Sequence, residues 1–323
     1  MFKRRKAPAL VPYDMFDAVR VGREAEAARS LERVYHAGQS KAWDGRALLA
    51  ELVEKHGGVN LSPDKVQALQ KILAVIFWGE LAAWKVSADL ALRIEPLEAK
   101  MAATSQAHDE ARHFYVLHDY LALLGYTPGP LPVAASGILD KILSADHLAK
   151  KLVGMQLMVE PIALTLFQMI RRHETEPVLC ELLRYYERDE ARHIALGVNY
   201  LPELLKEMSP VETVDYWRWE LGMIRLEVDG MLELEAEFRV LGFPPAEVFR
   251  LGQAKQLLAA RMLADRMGDD GRVTDVFRRI SQAMVEYHFP TDGKRRLMPR
   301  RLLHALRAAR EPGTMDEALT EAA

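Results

Sequence analysis

The sequence predicts an all-α protein built on a four-helix bundle with additional N- and C-terminal helices. Three observations support this. Few stretches alternate apolar and polar residues with the period of two that a strand requires. Glycine and proline cluster at intervals of roughly 30 residues, leaving uninterrupted segments longer than an average helix. Helix start and stop signals fall at those clusters.

The elements follow in order. After a polar N-terminal arm, "DGRALLAELVEKHGG" reads as a short helix closed by Gly57 and Gly58. Ser62-Pro63-Asp64 opens a long helix, with a capping serine and a proline in the first turn, that runs to about Ile94. A second covers Leu97 to Leu124 and stops at Gly125. "GYTPGPLPVAASG" reads as a connection. A third runs from Ser144 to His173, with a kink expected near Met158–Glu160 because Pro161 removes a backbone donor. A fourth begins at Thr175-Glu176-Pro177 and reaches Tyr200, where Pro202 disturbs it. "SPVE" at Ser209–Glu212 has the form of a capping box and opens a fifth helix through Val240. Further helices are expected at 245–268, 271–288 and 298–310. Residues 1–61 thus form an arm and short helix, 62–208 the bundle, and 209–323 a C-terminal helical extension.

Composition excludes several classes of function. The chain has 323 residues, half of them hydrophobic, enough for a sizeable core. Its formal net charge of -3 lacks the basic excess of a nucleic-acid binder. Cys180 is the only cysteine, so neither a disulfide framework nor a thiolate metal site is expected. "MFKRRKAPAL" is basic but has no apolar secretory core. Charges interrupt the most apolar runs, so no membrane span is expected and a cytoplasmic location is. The basic run "GKRRLMPRRLLHALRAAR" reads as a solvated surface.

One pentamer occurs twice. Asp109-Glu110-Ala111-Arg112-His113 returns as Asp189-Glu190-Ala191-Arg192-His193. Both copies fall in long helices, where i and i+3 share a face, so each offers a carboxylate and an imidazole around one point. A bundle-core dimetal site also needs one Glu from each of two further helices. Glu80 lies 30 residues before Glu110, and Glu160 lies 30 residues before Glu190. Each sits in an apolar setting, "VIFWGELAAW" and "QLMVEPIALTLF", where a carboxylate without a partner is costly. Four carboxylates balance two divalent cations, and this donor set suits iron or manganese.

The repeated Glu with Asp-Glu-x-Arg-His resembles the ferritin-like di-iron carboxylate superfamily over residues 62–207. That superfamily includes the bacterial multicomponent monooxygenase hydroxylases, the ribonucleotide reductase small subunit and the acyl-carrier-protein desaturases. The resemblance implies a ferritin-like four-helix bundle with Glu80, Glu110, His113, Glu160, Glu190 and His193 as metal ligands. It implies Glu110 and Glu190 as the bridging carboxylates, Asp109 and Asp189 as acceptors orienting the imidazoles, and Arg112 and Arg192 in the supporting ion pairs. The cofactor would be two Fe ions, Fe/Fe or Mn/Fe. The implied activity is O2-dependent hydroxylation or desaturation of an apolar, acyl or aromatic small molecule, with a ferredoxin or reductase as external electron donor. A Mn/Fe ligand-binding oxidase and a metal-handling ferroxidase are the alternatives.

Markers of individual subfamilies are missing. Leu117 stands where the reductase small subunit carries its radical tyrosine, and Tyr186 where arylamine N-oxygenases have a third histidine. Leu164 replaces a threonine frequent in the hydroxylases, and Met155 replaces the cross-linked tyrosine of the ligand-binding oxidases. No subfamily is assigned. Residues one turn from a ligand are expected to line a mostly apolar pocket: Ala83 and Trp84 around Glu80, Leu117 after His113, Gln156 and Leu164 around Glu160, and Tyr186 before Glu190. The C-terminal helices are expected to cover one side of the bundle or to form a homodimer surface.

Overall fold

Twelve helices, and no strand, make up the described residues of the computed structural model. Those residues are 19, 22, 23, 26 and 29–310, apart from 269–271, 291, 293, 295 and 296. The basic N-terminal decapeptide and part of the basic C-terminal run lie outside them. The helices are α1 (Arg29–Ser40), α2 (Gly45–His56), α3 (Pro63–Arg93), α4 (Leu97–Leu123) and α5 (Val133–Leu143). Next come α6 (Leu148–Arg172, containing a π segment), α7 (Pro177–Lys206), α8 (Pro210–Glu233) and α9 (Glu235–Leu241). The last are α10 (Pro245–Met267), α11 (Arg272–His288) and α12 (Met298–Ala308).

Two apolar clusters fix the direction of the four long helices. One gathers Phe77, Leu117, Leu166 and Tyr186, and the other Ala82, Ala103, Met158 and Leu196. Along α3 and α7 the chain passes from the first cluster to the second; along α4 and α6 it passes from the second to the first. Hence α3 is antiparallel to α4 and α6 to α7, while α4 and α6 run parallel. Consecutive helices that run parallel need a connection that travels the length of the bundle. This single long crossover is the ferritin-like topology.

The crossover explains a departure from the sequence reading. The stretch 125–137, expected as plain connection, runs into α5 at Val133, and Ala134, Ala135 and Ile142 of that helix are buried. Three other boundaries differ. Pro202 lies inside α7, which continues to Lys206. The fifth long helix breaks at Leu234, giving α8 and α9. Part of the supposed arm is α1, which packs against α4 and α7.

Caps set the helix starts. Ser209 and Glu212 complete a capping box at α8. At α7 the buried Glu176 accepts from the amides of Val178 and Leu179 and from the Tyr120 hydroxyl. Ser62 stands at the start of α3 but makes no side-chain cap bond.

Both α3 and α6 are long and apolar enough to cross a membrane, since each has an apolar window that tolerates its few charges. Within the fold, 56% and 72% of those windows are buried, and these are the helices that carry Glu80 and Glu160.

Candidate metal centre

Between the two apolar clusters lies a layer of buried polar side chains. It comprises Glu80 on α3, Gln106, Asp109, Glu110 and His113 on α4, Gln156 and Glu160 on α6, and Asp189, Glu190 and His193 on α7, all at 5% exposure or less. Their donor atoms form two groups placed to bind two metal ions. Glu80, Glu110, His113 and Glu190 make one; Glu110, Glu160, Glu190 and His193 make the other. Glu110 and Glu190 belong to both. Within each group the ligand atoms lie within 4.8 Å of one another.

The imidazoles show how the groups are built. His113 Nδ1 lies 3.3 Å from Glu80, 3.6 Å from Glu110 and 3.2 Å from Glu190. His193 Nδ1 lies 3.1 Å from Glu110, 2.8 Å from Glu190 and 3.9 Å from Glu160. Both rings therefore turn Nδ1 toward the centre and Nε2 away from it.

The outer nitrogens meet aspartates across the bundle. His113 Nε2 is 3.3 Å from Asp189, and His193 Nε2 is 3.5 Å from Asp109. Each pentamer thus places its aspartate beside the other pentamer's histidine, hydrogen-bonded to His113 but only in a 3.5 Å ionic contact with His193, whose Nε2 has no hydrogen-bond partner. Arg112 and Arg192 each donate to both aspartates at 2.5–2.9 Å, closing a square of two cations and two anions. Buried charges are tolerable only with partners of this kind.

The fit to cations rests on orphaned atoms. Glu110 Oε2, Glu190 Oε1 and His113 Nδ1 are buried without a hydrogen-bond partner. All three residues belong to the two donor groups, and a metal ion bound there would satisfy these atoms. Burial and the neighbouring charges act on these groups in opposite directions. Burial raises the pKa of Glu80 and of Glu160 well above the usual glutamate range. Burial also acts on Glu110 and Glu190, but the neighbouring imidazoles outweigh it: Glu110 sits far below the usual range and Glu190 falls to about 2. Burial would lower the two histidines, yet the facing carboxylates push both well above their ordinary value. The cluster attracts positive charge.

The π segment Val153–Val159 places Glu160. The Glu160 amide donates to the carbonyl of Met155, five residues back, and Pro161 has no N–H to continue an α-helical ladder. The irregularity expected from Pro161 is thus a π turn that precedes the ligand. Gly197 on α7 lets this turn approach: a Cβ there would stand 2.8 Å from the Cβ of Gln156.

The residues expected one turn from the ligands divide. Gln156 is fully buried and donates to Gln106 at 3.1 Å. Tyr186 stacks on the His113 ring at 4.2 Å, and its hydroxyl donates to the His113 carbonyl. A cavity of about 60 Å³ touches Glu80 and Glu160 and is lined by Ala83 together with Val75, Ile76, Met155, Ala163 and Leu166. Leu117 and Leu164 do not reach it; they pack in the first apolar cluster. Trp84 is a further correction, being 39% exposed on the rim against Phe114. Glu187 lies outside the cluster and pairs with Arg171. His108 is exposed, and the half-buried Cys180 thiol donates to the Ile170 carbonyl.

Two contributors were missed in the sequence. Gln106 donates to Glu110 at 3.0 Å and to Glu160 at 3.1 Å, linking a shared carboxylate to a terminal one. Its signal was available, for it stands four residues before Glu110 as Gln156 stands before Glu160. Trp43, between α1 and α2, donates its indole N–H to Asp189 at 2.8 Å and lies under the Arg112 guanidinium. No local pattern announced it.

No protein-family model and no curated protein matches the sequence. Among solved structures, two variants of an R2-like ligand-binding oxidase with an aerobically reconstituted Mn/Fe cofactor align with it. Each is 17% identical, covering 88% of this chain and 100% of that one, with a TM-score of 0.49.

Proposed function

We propose that the chain is an O2-activating dinuclear metal oxidoreductase that holds two iron ions, or one manganese and one iron, and hydroxylates or desaturates an apolar, acyl or aromatic small molecule. The observation that carries this reading is the pair of four-residue donor groups sharing Glu110 and Glu190. Carboxylate and imidazole donors accept both metals. When bound, the metals supply O2 binding and redox chemistry.

The residues would share the work as follows. Glu80 and His113 would hold one ion and Glu160 and His193 the other, with Glu110 and Glu190 able to serve both. The Asp109, Asp189, Arg112 and Arg192 square keeps both imidazoles turned inward. Gln106 holds Glu160 and Glu110 in register. The apolar cavity beside Glu80 and Glu160 keeps water from the reacting end of the substrate. Residues 62–208 would act as the catalytic bundle and the helices α8–α12 as its cover, with electrons arriving from an external ferredoxin or reductase.

The test is O2 consumption by metal-loaded protein with a chemical reductant and medium-chain acyl or aromatic probes. The reading expects uptake coupled to an oxidised organic product, and loss of both in Glu110→Ala. Uptake that follows added Fe(II) alone, with no organic product from any probe, would establish a ferroxidase instead.

A further inference from the structure

A second cavity, of about 280 Å³, lies where α8, α10 and α11 close over α6. Its walls are almost wholly apolar and include Leu157 and Met158 of the π turn, Ile224, Leu257 and Met284. None of the six proposed metal ligands lines it. One carboxyl does. Glu220 is 8% exposed, and its Oε2 has no hydrogen-bond partner among the described residues. No lysine, arginine or histidine stands on the wall among those residues.

A buried carboxyl without a partner is costly, and burial pushes Glu220 up to about 7. A ligand that fills this cavity decides how the cost is relieved. An acid would bring a like charge into a space holding no cation. A neutral alcohol would donate one hydrogen bond and leave the charge uncompensated. A protonated amine supplies both the countercharge and the donors.

We propose that this cavity binds a lipophilic amine, its ammonium group paired with Glu220 and its hydrocarbon part packed between α6, α8, α10 and α11. Beside Glu220 the polar side chains on the wall are Thr213, Tyr216, Gln253, Gln256 and Ser281, and Gln253 donates to Gln256. The site is separate from the metal layer, and its occupation does not depend on the metal assignment.

Calorimetric titration of the full-length protein with n-octylamine, 1-octanol and octanoate at about pH 8 tests the proposal. Octylamine is expected to bind at least about tenfold more tightly than octanol, and octanoate not to bind. Glu220→Gln keeps the shape but removes the charge. It should weaken octylamine at least about tenfold while changing octanol by no more than about threefold. Ile224→Trp fills the cavity from the wall and should abolish binding of both. Equal binding of amine and alcohol, preference for octanoate, an amine preference that survives in Glu220→Gln, unchanged binding in Ile224→Trp, or no binding of any probe would each overturn it.

Discussion

The two halves of the bundle carry the same ligand types in the same order but set them in different surroundings. In the first half, α3 and α4 are regular helices, and His113 is packed under Tyr186 with Trp43 tilted beside it. Its orienting aspartate, Asp189, accepts from Arg112, Arg192 and Trp43. In the second half a π turn precedes Glu160, and Asp109 accepts from the two arginines alone of those three donors. A duplicated pattern of donor residues therefore sits in two unequal settings, placed to bind two metal ions. The first is fixed by aromatic packing, and the second by backbone irregularity.

The largest effects should come from the residues the halves share. Glu110→Ala or Glu190→Ala removes a donor from both positions, so bound metal, measured by mass spectrometry of digested protein, should fall from two equivalents to one or none. Glu80→Ala and Glu160→Ala should each lose only one. If Glu110→Ala retains two equivalents, the shared-ligand arrangement is wrong.

Next comes the crossing of aspartates and histidines. Asp189→Asn should weaken metal at the His113 position, on the helix it does not belong to, by about 10–100-fold. It should also cost more stability than Asp109→Asn, because Asp189 loses a charge held by one more donor. Competition with a chelator, read with both variants side by side, checks the order. Weakening confined to the His193 position in Asp189→Asn would mean that each pentamer serves itself.

Crowding the second half should cost less. Gly197→Ala puts a methyl 2.8 Å from the Gln156 Cβ, with Leu157 Cδ2 at 3.3 Å, and one side must move. A loss of about 1–3 kcal/mol in denaturant unfolding is expected, with the metal at the Glu160 position affected before that at Glu80. Trp43→Phe keeps an aromatic ring but trims the indole and removes its N–H to a buried carboxylate, for a cost of about 1–2 kcal/mol. The second half has no counterpart to lose, so metal at the His193 position should not respond.

What could be read from the sequence follows the range of the signal. The six acidic and imidazole residues lie in two repeated helical spacings, and spacing on a helix is local information. Pro161 likewise announced an irregular turn, though not its π form. Residues that reach the layer from elsewhere in the chain gave no such sign: Trp43 meets Asp189 only because α1 and α2 pack on α4 and α7. The pocket was read least well. Counting by 3.6 residues gave Ala83 a place beside Glu80, but it misplaced Trp84, Leu117 and Leu164, whose side-chain directions depend on how the helices cross. The helix α5 was hidden for a related reason, since the need for a crossover follows from helix directions that no single segment encodes.

The most direct measurement is anomalous scattering at the iron and manganese edges from crystals grown with both metals. Two peaks are expected in the polar layer, one bounded by Glu80 and His113 and the other by Glu160 and His193, with Glu110 and Glu190 reaching both. A single peak, or none between these side chains, would contradict the dinuclear centre.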